Sequence, residues 1–120
     1  MIRLGKERDK INVVNDQFGS PTYAGDLAKA CMKIIDQSEK WNNIPEVYHY
    51  SNEGVISWYD FAKEIMDITN TQCEVHPIGT EEYPSKAARP CHTELNVFRI
   101  HNRFKLPVNN WEESLKYSFL

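Results

Sequence analysis

A run of polar side chains mixed with glycine and proline follows the first β-branched segment of the chain. The run covers residues 15–22 and contains Asp16, Gln17, Gly19, Pro21 and Thr22. Its carboxylate, amide and hydroxyl groups offer many hydrogen bonds, glycine permits backbone geometry closed to other residues and close approach of a ligand, and proline fixes φ. These features suit a ligand-binding loop. The alternative is a turn that caps a strand and starts the next helix, and the residues alone favour the turn.

Arg89 is a second candidate for ligand binding. It lies in residues 79–95, which have no helical or strand periodicity and contain Tyr83-Pro84 and Arg89-Pro90. Long irregular segments of compact domains are functional more often than connections of ordinary length. A guanidinium binds phosphate oxygens through two parallel hydrogen bonds, and flanking prolines reduce the entropy lost on ordering. The alternative is a surface arginine surrounded by solvent, the usual environment of this residue.

Cofactor and metal chemistry has no motif in the sequence. The five glycines form no G-x-x-G-x-x-G run, so a dinucleotide-binding loop at a helix N-terminus is not predicted. Three cysteines without a C-x-x-C pair indicate reduced thiols in a cytoplasmic protein. The four histidines are dispersed, so a structural zinc site is not expected. We therefore assign no catalytic, cofactor-binding or metal-binding residue.

The composition predicts one small globular domain spanning residues 1–120. Hydrophobic residues make up 41% and charged residues 26% of the chain, which are ordinary globular values. The net charge of −3 argues against a nucleic-acid partner. No apolar run approaches the roughly 20 residues that span a bilayer, so no membrane partner is expected. Residues 1–10 are too charged for a signal peptide, and we interpret them as the end of a helix from a longer protein, with Met1 added.

Three short strands and a first helix are predicted from local patterns. Residues 11–14, 47–50 and 74–78 are β-branched or aromatic segments bounded by turn residues. Helical spacing of apolar residues predicts a helix from Ala24 to about Ser38, with Cys31 as a small core residue. The apolar face of this helix comprises Leu27, Ala28, Cys31, Ile34 and Ile35.

The clearest helix signal begins at Ser57, a favourable N-cap with Asp60 three residues later. Its apolar face comprises Trp58, Phe61, Ala62, Ile65 and Ile68. Two shorter helices are predicted over residues 96–104 and from Asn110 onward. The predicted fold class is therefore α+β, with three to four helices and short strands.

Four separated blocks resemble the dTDP-4-dehydrorhamnose reductase family of extended short-chain dehydrogenases, in order and in spacing. The blocks are V-V-x-D-Q-x-G-S-P-T at 13–22, V-Y-H-Y-S-N-x-G at 47–54, S-W-Y-D-F-A at 57–62 and Y-P-x-x-A-x-R-P at 83–90. A single block would be weak evidence, but four in register are strong evidence. The resemblance runs from about residue 2 to the C-terminus and corresponds to only the C-terminal half of such an enzyme.

The resemblance implies that the parent enzyme reduces the C4 ketone of dTDP-4-dehydro-L-rhamnose with NAD(P)H. This chain would supply the contacts to the dTDP-sugar, with the arginine of the late loop on the diphosphate. The implied substrate-binding residues are Asp16, Gln17, Gly19, Pro21, Thr22, Tyr83 and Arg89. The N-terminal Rossmann domain is missing, so the chain alone is expected to be inactive and to bind no cofactor. The family is also linked to Mg²⁺, for which no ligands can be placed here by motif.

The family analogy also makes predictions about strand pairing. Residues 11–14 and 74–78 should pair as a small parallel sheet. Residues 47–50 would be the last strand of the missing Rossmann sheet, and an orphan strand leaves an unpaired edge. We therefore expect a homodimer or a strand-exchanged association.

Tyr59 and Lys63 match the Y-x-x-x-K pair of short-chain dehydrogenases, but we predict structural roles for both. In a chain with 6 tyrosines in 120 residues, this spacing arises easily by chance. In the family the catalytic pair also precedes the D-Q-x-G-x-P-T block, whereas Tyr59 follows it.

Two alternative functions share this scaffold. One is a sugar-nucleotide epimerase or dehydratase, although the blocks at 13–22 and 83–90 favour the reductase. The other is a non-catalytic regulatory protein, as in the reductase-like β subunit of methionine adenosyltransferase. The glycine loop and the catalytic Tyr/Lys pair of the upstream half would separate the enzyme from the regulatory protein.

Overall fold

Five α-helices and four short β-strands make up the described part of the chain, residues 1–42 and 44–119 of a computed structural model. In chain order they are α1 (Ile2–Glu7), β1 (Lys10–Val14), β2 (Phe18–Gly19), α2 (Ala24–Asp36), β3 (Ile56–Ser57), α3 (Trp58–Ile68), β4 (Glu74–Ile78), α4 (Phe98–Phe104) and α5 (Trp111–Tyr117). The fold is α+β, as predicted. The chain divides into two compact units.

Unit 1 consists of residues 1–19 and 55–94 and is built on a parallel strand pair. β1 pairs with β4, with Ile11 opposite Val75 and Val13 opposite Pro77, which confirms the predicted pairing. Ile11 and Val13 are buried because alternate residues of a strand point to the same face. Their buried neighbours come from α3, namely Ala62 and Met66.

The start of α3 follows the predicted capping pattern. The Ser57 hydroxyl oxygen accepts a hydrogen bond from the Asp60 backbone N–H at 3.0 Å, and its proton is donated to the Asp60 carboxylate at 2.6 Å. These bonds satisfy a backbone donor that the first helical turn would otherwise leave free. The predicted apolar face is wrong at Trp58, whose side chain is 48% exposed.

Unit 2 consists of the described residues of 20–54 and 95–120, and its core lies between α2 and α4. Ala30 of α2 packs with Ile100, Phe104 and Leu106. The prediction that Cys31 is a core residue is wrong, because Cys31 is exposed. The helix turns the line of Asp26, Ala30 and Ile34 toward the core, so Ile34 packs inside as predicted while the other residues of the predicted apolar face lie outside. The exposed residues of that face include Leu27, Ala28, Cys31 and Ile35.

A buried polar network joins the start of α2 to Asn52 and to the start of α5. Asn52, which is 1% exposed, donates to the Asp26 carboxylate at 2.8 Å and accepts from the Tyr23 backbone N–H at 2.8 Å. Ser114 donates to the same carboxylate at 2.5 Å, and the Asn109 side chain donates to it at 3.1 Å. Segments far apart in sequence therefore meet on one carboxylate.

Burial alone would raise the pKa of Asp26. The hydrogen bonds from Ser114 and Asn52, together with the attraction of Lys29 at 3.6 Å, outweigh burial and hold the pKa below its usual value. Asp26 is therefore ionised at neutral pH, and its charge depends on hydrogen bonds from the buried residues Asn52 and Ser114.

Residues 47–50 are the segment predicted as a strand left without its neighbours. The segment has no strand assignment, and no other segment of the described chain pairs with it. Tyr48 and Tyr50 pack against the core of unit 2, while Val47 is 75% exposed. The side chains thus alternate as in a strand, but a strand also needs a neighbour to share its backbone hydrogen bonds.

Gly54 makes a turn next to α5 that only glycine fits. Its φ is +95°, and an added Cβ would lie 2.7 Å from the ring of Trp111. The Glu53 carbonyl just before it accepts from the Trp111 backbone N–H at 3.0 Å, and the Asn110 side chain caps the helix by accepting from the Glu112 N–H at 2.9 Å. The start of α5 is therefore fixed by a backbone bond to Glu53 and by the Asn110 side-chain cap.

Within residues 1–42 and 44–119, none of the helices has the length and apolar character needed to cross a membrane.

We predict that Asn52→Ala lowers the free energy of unfolding by about 2–4 kcal/mol, because it leaves the buried Asp26 carboxylate and the Tyr23 N–H short of partners. Urea denaturation followed by circular dichroism measures this change. Asn102→Ala, at an exposed position of α4, is the matched control and should change stability by less than about 0.5 kcal/mol. Equal effects of the two substitutions would contradict the importance of the network.

Candidate functional site

A cavity of about 280 Å³ lies in unit 1 beside β1. Its walls are mostly apolar and include Leu4 of α1 and the β1 residues Ile11, Val13 and Val14. Its polar side chains are Asn12, Gln17, Tyr83 and Arg89, and Trp58 adds an indole ring. Three of the predicted substrate-binding residues, Gln17, Tyr83 and Arg89, therefore line one cavity.

The parallel pairing of β1 and β4 brings two loops together at one edge. The carboxyl ends of parallel strands lie at the same edge, so the segment after Val14 meets the segment after Ile78. The Asp16 carboxylate accepts hydrogen bonds from the Thr80 backbone N–H at 3.0 and 3.1 Å and from the Thr80 hydroxyl at 2.6 Å. These bonds to Thr80 lower the pKa of Asp16 below its usual value, so the group is ionised at neutral pH.

Gln17 connects this pair of loops to the cavity. Its side-chain Nε2 donates to the Thr80 hydroxyl oxygen at 3.0 Å, and its backbone carbonyl accepts from the Trp58 N–H at 3.3 Å. The residue is only 6% exposed. Asp16 does not line the cavity. It anchors Thr80, and Thr80 in turn holds the Gln17 side chain, which lines the cavity.

Phe18 and Gly19 are clamped between two other segments. The Phe18 N–H donates to the Cys91 carbonyl at 2.8 Å, and its carbonyl accepts from the Thr93 backbone N–H at 2.9 Å and from the Thr93 hydroxyl at 3.0 Å. On the other side β2 pairs antiparallel with β3. The loop that carries Arg89 is thereby tied to the segment that carries Gln17.

Gly19 is required for close packing and not for an unusual backbone angle. Its φ lies outside the left-handed region, so the predicted special geometry is absent at this residue. An added Cβ would come 2.7 Å from the Thr93 hydroxyl oxygen, which is held by the Phe18 carbonyl. The close approach is to Thr93, so direct contact of Gly19 with a ligand stays a prediction.

Tyr83 and Arg89 belong to the irregular segment that was predicted over residues 79–95. A short 3-10 turn at Thr80–Glu82 opens this segment, and the Glu82 carboxylate accepts from the Gly79 N–H at 2.9 Å. Tyr83 is 49% exposed, and Arg89 is exposed. Both residues of this irregular segment line the cavity, and their exposure leaves them accessible to a ligand.

Pro21 and Thr22 belong to unit 2, just before α2. The Thr22 hydroxyl donates to the Ser20 carbonyl at 3.1 Å, a local bond that shapes the turn. Contact of either residue with a ligand stays a prediction.

Sequence reasoning missed Asn12, Trp58 and Thr80 at this site. Trp58 was assigned to the core face of α3, yet it lines the cavity from the first turn of that helix. Thr80 carries no motif and matters only because Asp16 and Gln17 both bind its hydroxyl.

Tyr59 and Lys63 lie away from this cavity. Tyr59 packs on the core of unit 1, and the Lys63 ammonium lies 5.5 Å from the centre of the Tyr59 ring. The packing of Tyr59 and its contact with Lys63 agree with the structural roles predicted for this pair. Among the described residues, no three His, Cys, Asp or Glu side chains cluster closely enough to hold a metal ion.

The arrangement suits binding rather than covalent chemistry. It combines one guanidinium, one oriented amide, two accessible aromatic rings and an apolar wall. A ligand that matches these groups has an anionic part and a flat, partly apolar part.

We predict that Gly19→Ala destabilises the chain by about 1–3 kcal/mol, because the new methyl group displaces the Thr93 hydroxyl from the Phe18 carbonyl. Gly79→Ala is the matched control, since its Cβ would meet atoms only at 3.7 and 3.9 Å. Thermal unfolding followed by circular dichroism compares the two. If Gly19→Ala proved as stable as Gly79→Ala, the clamp would not depend on this contact.

Comparison with known proteins identifies the family. A family model described as the RmlD substrate binding domain matches residues 1–119. The dTDP-4-dehydrorhamnose reductase of Sinorhizobium fredii is 37% identical over 122 residues, covering 97% of this chain and 41% of that protein. The spore coat polysaccharide biosynthesis protein SpsK of Bacillus subtilis is 36% identical over 116 residues, covering 97% of this chain and 38% of that protein.

A solved structure agrees with these relatives. The crystal structure of dTDP-4-dehydrorhamnose reductase from Bacillus anthracis, in complex with NADP, matches with a TM-score of 0.88 and 42% identity, covering 98% of this chain and 40% of that chain. The present chain thus spans about 40% of the length of such proteins. Because the family model matches nearly all of its residues, the chain belongs to the RmlD substrate binding domain family.

Proposed function

We propose that this chain is the sugar-nucleotide-binding part of a reductase that converts dTDP-4-dehydro-L-rhamnose to dTDP-L-rhamnose with NAD(P)H. Membership of a substrate-binding family supports the proposal, as does the name of the relative from Sinorhizobium fredii. The chain spans about 40% of such relatives, so the reaction itself belongs to a longer protein.

The observation that carries the proposal is the cavity of unit 1, where Arg89 stands beside Gln17, Tyr83 and Trp58. A dTDP-sugar has a diphosphate for a guanidinium and a flat base for an aromatic surface. Arg89 would bind the diphosphate oxygens through its planar fork. Trp58 and Tyr83 are each about half exposed, so their rings are accessible to a base.

The residues of this chain do not fit a dinucleotide cofactor. β1 is followed by Asn15 and Asp16, with no glycine-rich turn leading into a helix N-terminus. We therefore assign NAD(P)H to an N-terminal Rossmann domain of the parent protein and derive no step through it here. Catalysis by the chain alone is not expected.

A magnesium site is not assigned to this chain. Magnesium prefers several carboxylate, carbonyl or water oxygens in octahedral geometry. The described residues offer no cluster of three carboxylate or imidazole side chains. The Asp16 carboxylate is already occupied by Thr80.

Self-association is proposed for the chain in the absence of its N-terminal partner. Val47 is 75% exposed, and residues 47–50 have no pairing strand in the described structure. Such a segment can pair with another copy. Sedimentation velocity should detect a homodimer or a strand-exchanged species at micromolar concentration, and Val47→Lys should weaken the association. A monodisperse monomer would contradict this proposal.

We predict that Arg89→Ala weakens the binding of dTDP to this chain by about tenfold or more, because the diphosphate loses its bidentate partner. Chemical-shift titration of the ¹⁵N-labelled chain, with the Trp58 indole N–H as reporter, measures the dissociation constant. In the parent enzyme the same substitution should raise KM for the sugar nucleotide severalfold or more.

Lys86→Ala is the control for charge. Lys86 lies on the same segment as Arg89 but does not line the cavity. Its substitution removes one positive charge and should leave the affinity for dTDP within about twofold of the unmodified chain, since exposed charges contribute little. An unchanged affinity in Arg89→Ala would remove Arg89 from the site.

A further inference from the structure

Residues 84–90, here called the strap, lie between two anchored points of the loop beside the cavity. Before the strap, the Thr80 backbone N–H and hydroxyl donate to the Asp16 carboxylate. After it, the Cys91 carbonyl accepts from the Phe18 N–H at 2.8 Å. Asp16 and Phe18 both belong to the segment that follows β1, so both ends of the strap are attached to that one segment.

The strap itself is held only by local bonds. The Ser85 hydroxyl donates to the Ala87 carbonyl at 3.1 Å and accepts from the Ala87 N–H at 3.3 Å, and the strap forms no other hydrogen bond or ion pair with a described residue. Every residue of the strap is exposed, whereas a compact surface loop is packed by its own side chains. Segments with so few buried contacts have low local stability, and binding lids are drawn from such segments.

Prolines limit the motion of the strap to its middle. Pro84 and Pro90 stand at its two ends, and proline fixes φ. Backbone rotation is therefore concentrated in residues 85–89, which include two alanines and end at Arg89.

Arg89 is the strap residue that lines the cavity. Its guanidinium is exposed and forms no hydrogen bond or ion pair within the described part of the chain. The β1 wall of the cavity, with Ile11 and Val13, is apolar and offers it no charged partner. An anionic group bound in the cavity would supply that partner and would draw the strap toward it.

We propose that the strap is a lid, mobile in the free chain, that closes over the cavity when Arg89 binds a phosphate group of the ligand. Closure removes water from around the phosphate and so strengthens its attraction to the guanidinium. This inference rests on the proposed function, because it takes the ligand to be a nucleoside diphosphate.

Backbone ¹⁵N relaxation of the 120-residue chain tests the motion directly. In the free chain the heteronuclear NOE of Lys86, Ala87 and Ala88 should lie well below that of α3, because these amides move on the nanosecond timescale. Saturating dTDP should raise the values to those of α3. Thymidine lacks phosphate and should leave them low at a concentration that shifts the Trp58 indole signal equally. A strap as rigid as α3 in the free chain would overturn the inference.

Limited trypsin digestion gives an independent measurement. Lys86–Ala87 is the one bond of the strap that trypsin cleaves, because Arg89 precedes Pro90. Saturating dTDP should slow this cleavage by about tenfold or more, and thymidine should change it by less than about twofold. Cleavage after the exposed Lys40 of unit 2 is the internal control and should not change. Equal slowing at both bonds would be general stabilisation and would contradict a local closure.

Two variants test whether Arg89 closes the lid. Arg89→Gln keeps a polar side chain without the charge, and at saturation with dTDP, followed by the Trp58 indole signal, its strap should stay mobile. Ser85→Ala removes only the local bonds to Ala87 and is the matched control, which should close like the unmodified chain. Full closure in Arg89→Gln would overturn the inference.

The outcomes separate the lid from the function on which it rests. Binding of dTDP with no change in the strap would overturn the lid and leave the proposed function in place. If dTDP did not bind to the chain, the proposed function and the lid would both be contradicted.

Discussion

The ion–dipole contact between the Asp16 carboxylate and Thr80 is the interaction on which the candidate site depends. It joins residues that are 64 positions apart in sequence, at the edge where β1 and β4 both end. Without it, the segment after β1 and the segment after β4 would be independent loops. With it, the Gln17 amide has one orientation, and the loop that bears Arg89 begins from an anchored residue.

The second constraint is the clamp on Phe18 and Gly19. Phe18 donates one hydrogen bond to Cys91 and accepts two from Thr93, and these three bonds fix the far end of the loop that bears Arg89. Both ends of that loop are therefore attached to the segment that carries Gln17. A loop held at both ends loses less entropy when a ligand binds. This explains how exposed residues such as Tyr83 and Arg89 can serve a binding site without a rigid element of their own.

Unit 2 is held together by a different interaction, the hydrogen bonding of a buried carboxylate, Asp26. Asp26 is compensated by Asn52 and by two residues at the start of α5, Asn109 and Ser114. The sequence pattern of α2 could not predict this, because an aspartate counts as polar in any amphipathic assignment. The helix consequently turns Cys31 and Leu27 outward, where the pattern had placed the core.

The sequence by itself determined the parallel strands, the cap at Ser57, the approximate helices and the family, since these depend on local spacing and on motifs in order. The family resemblance also predicted that Gln17, Tyr83 and Arg89 bind the substrate, and their contact with a ligand stays a prediction. Only the tertiary structure decided that these three line one cavity and that Trp58 joins them, and it leaves residues 47–50 without a partner strand in the described chain. The reason is that a hydrogen bond across 64 residues and a missing strand neighbour are both non-local, and no local pattern records them.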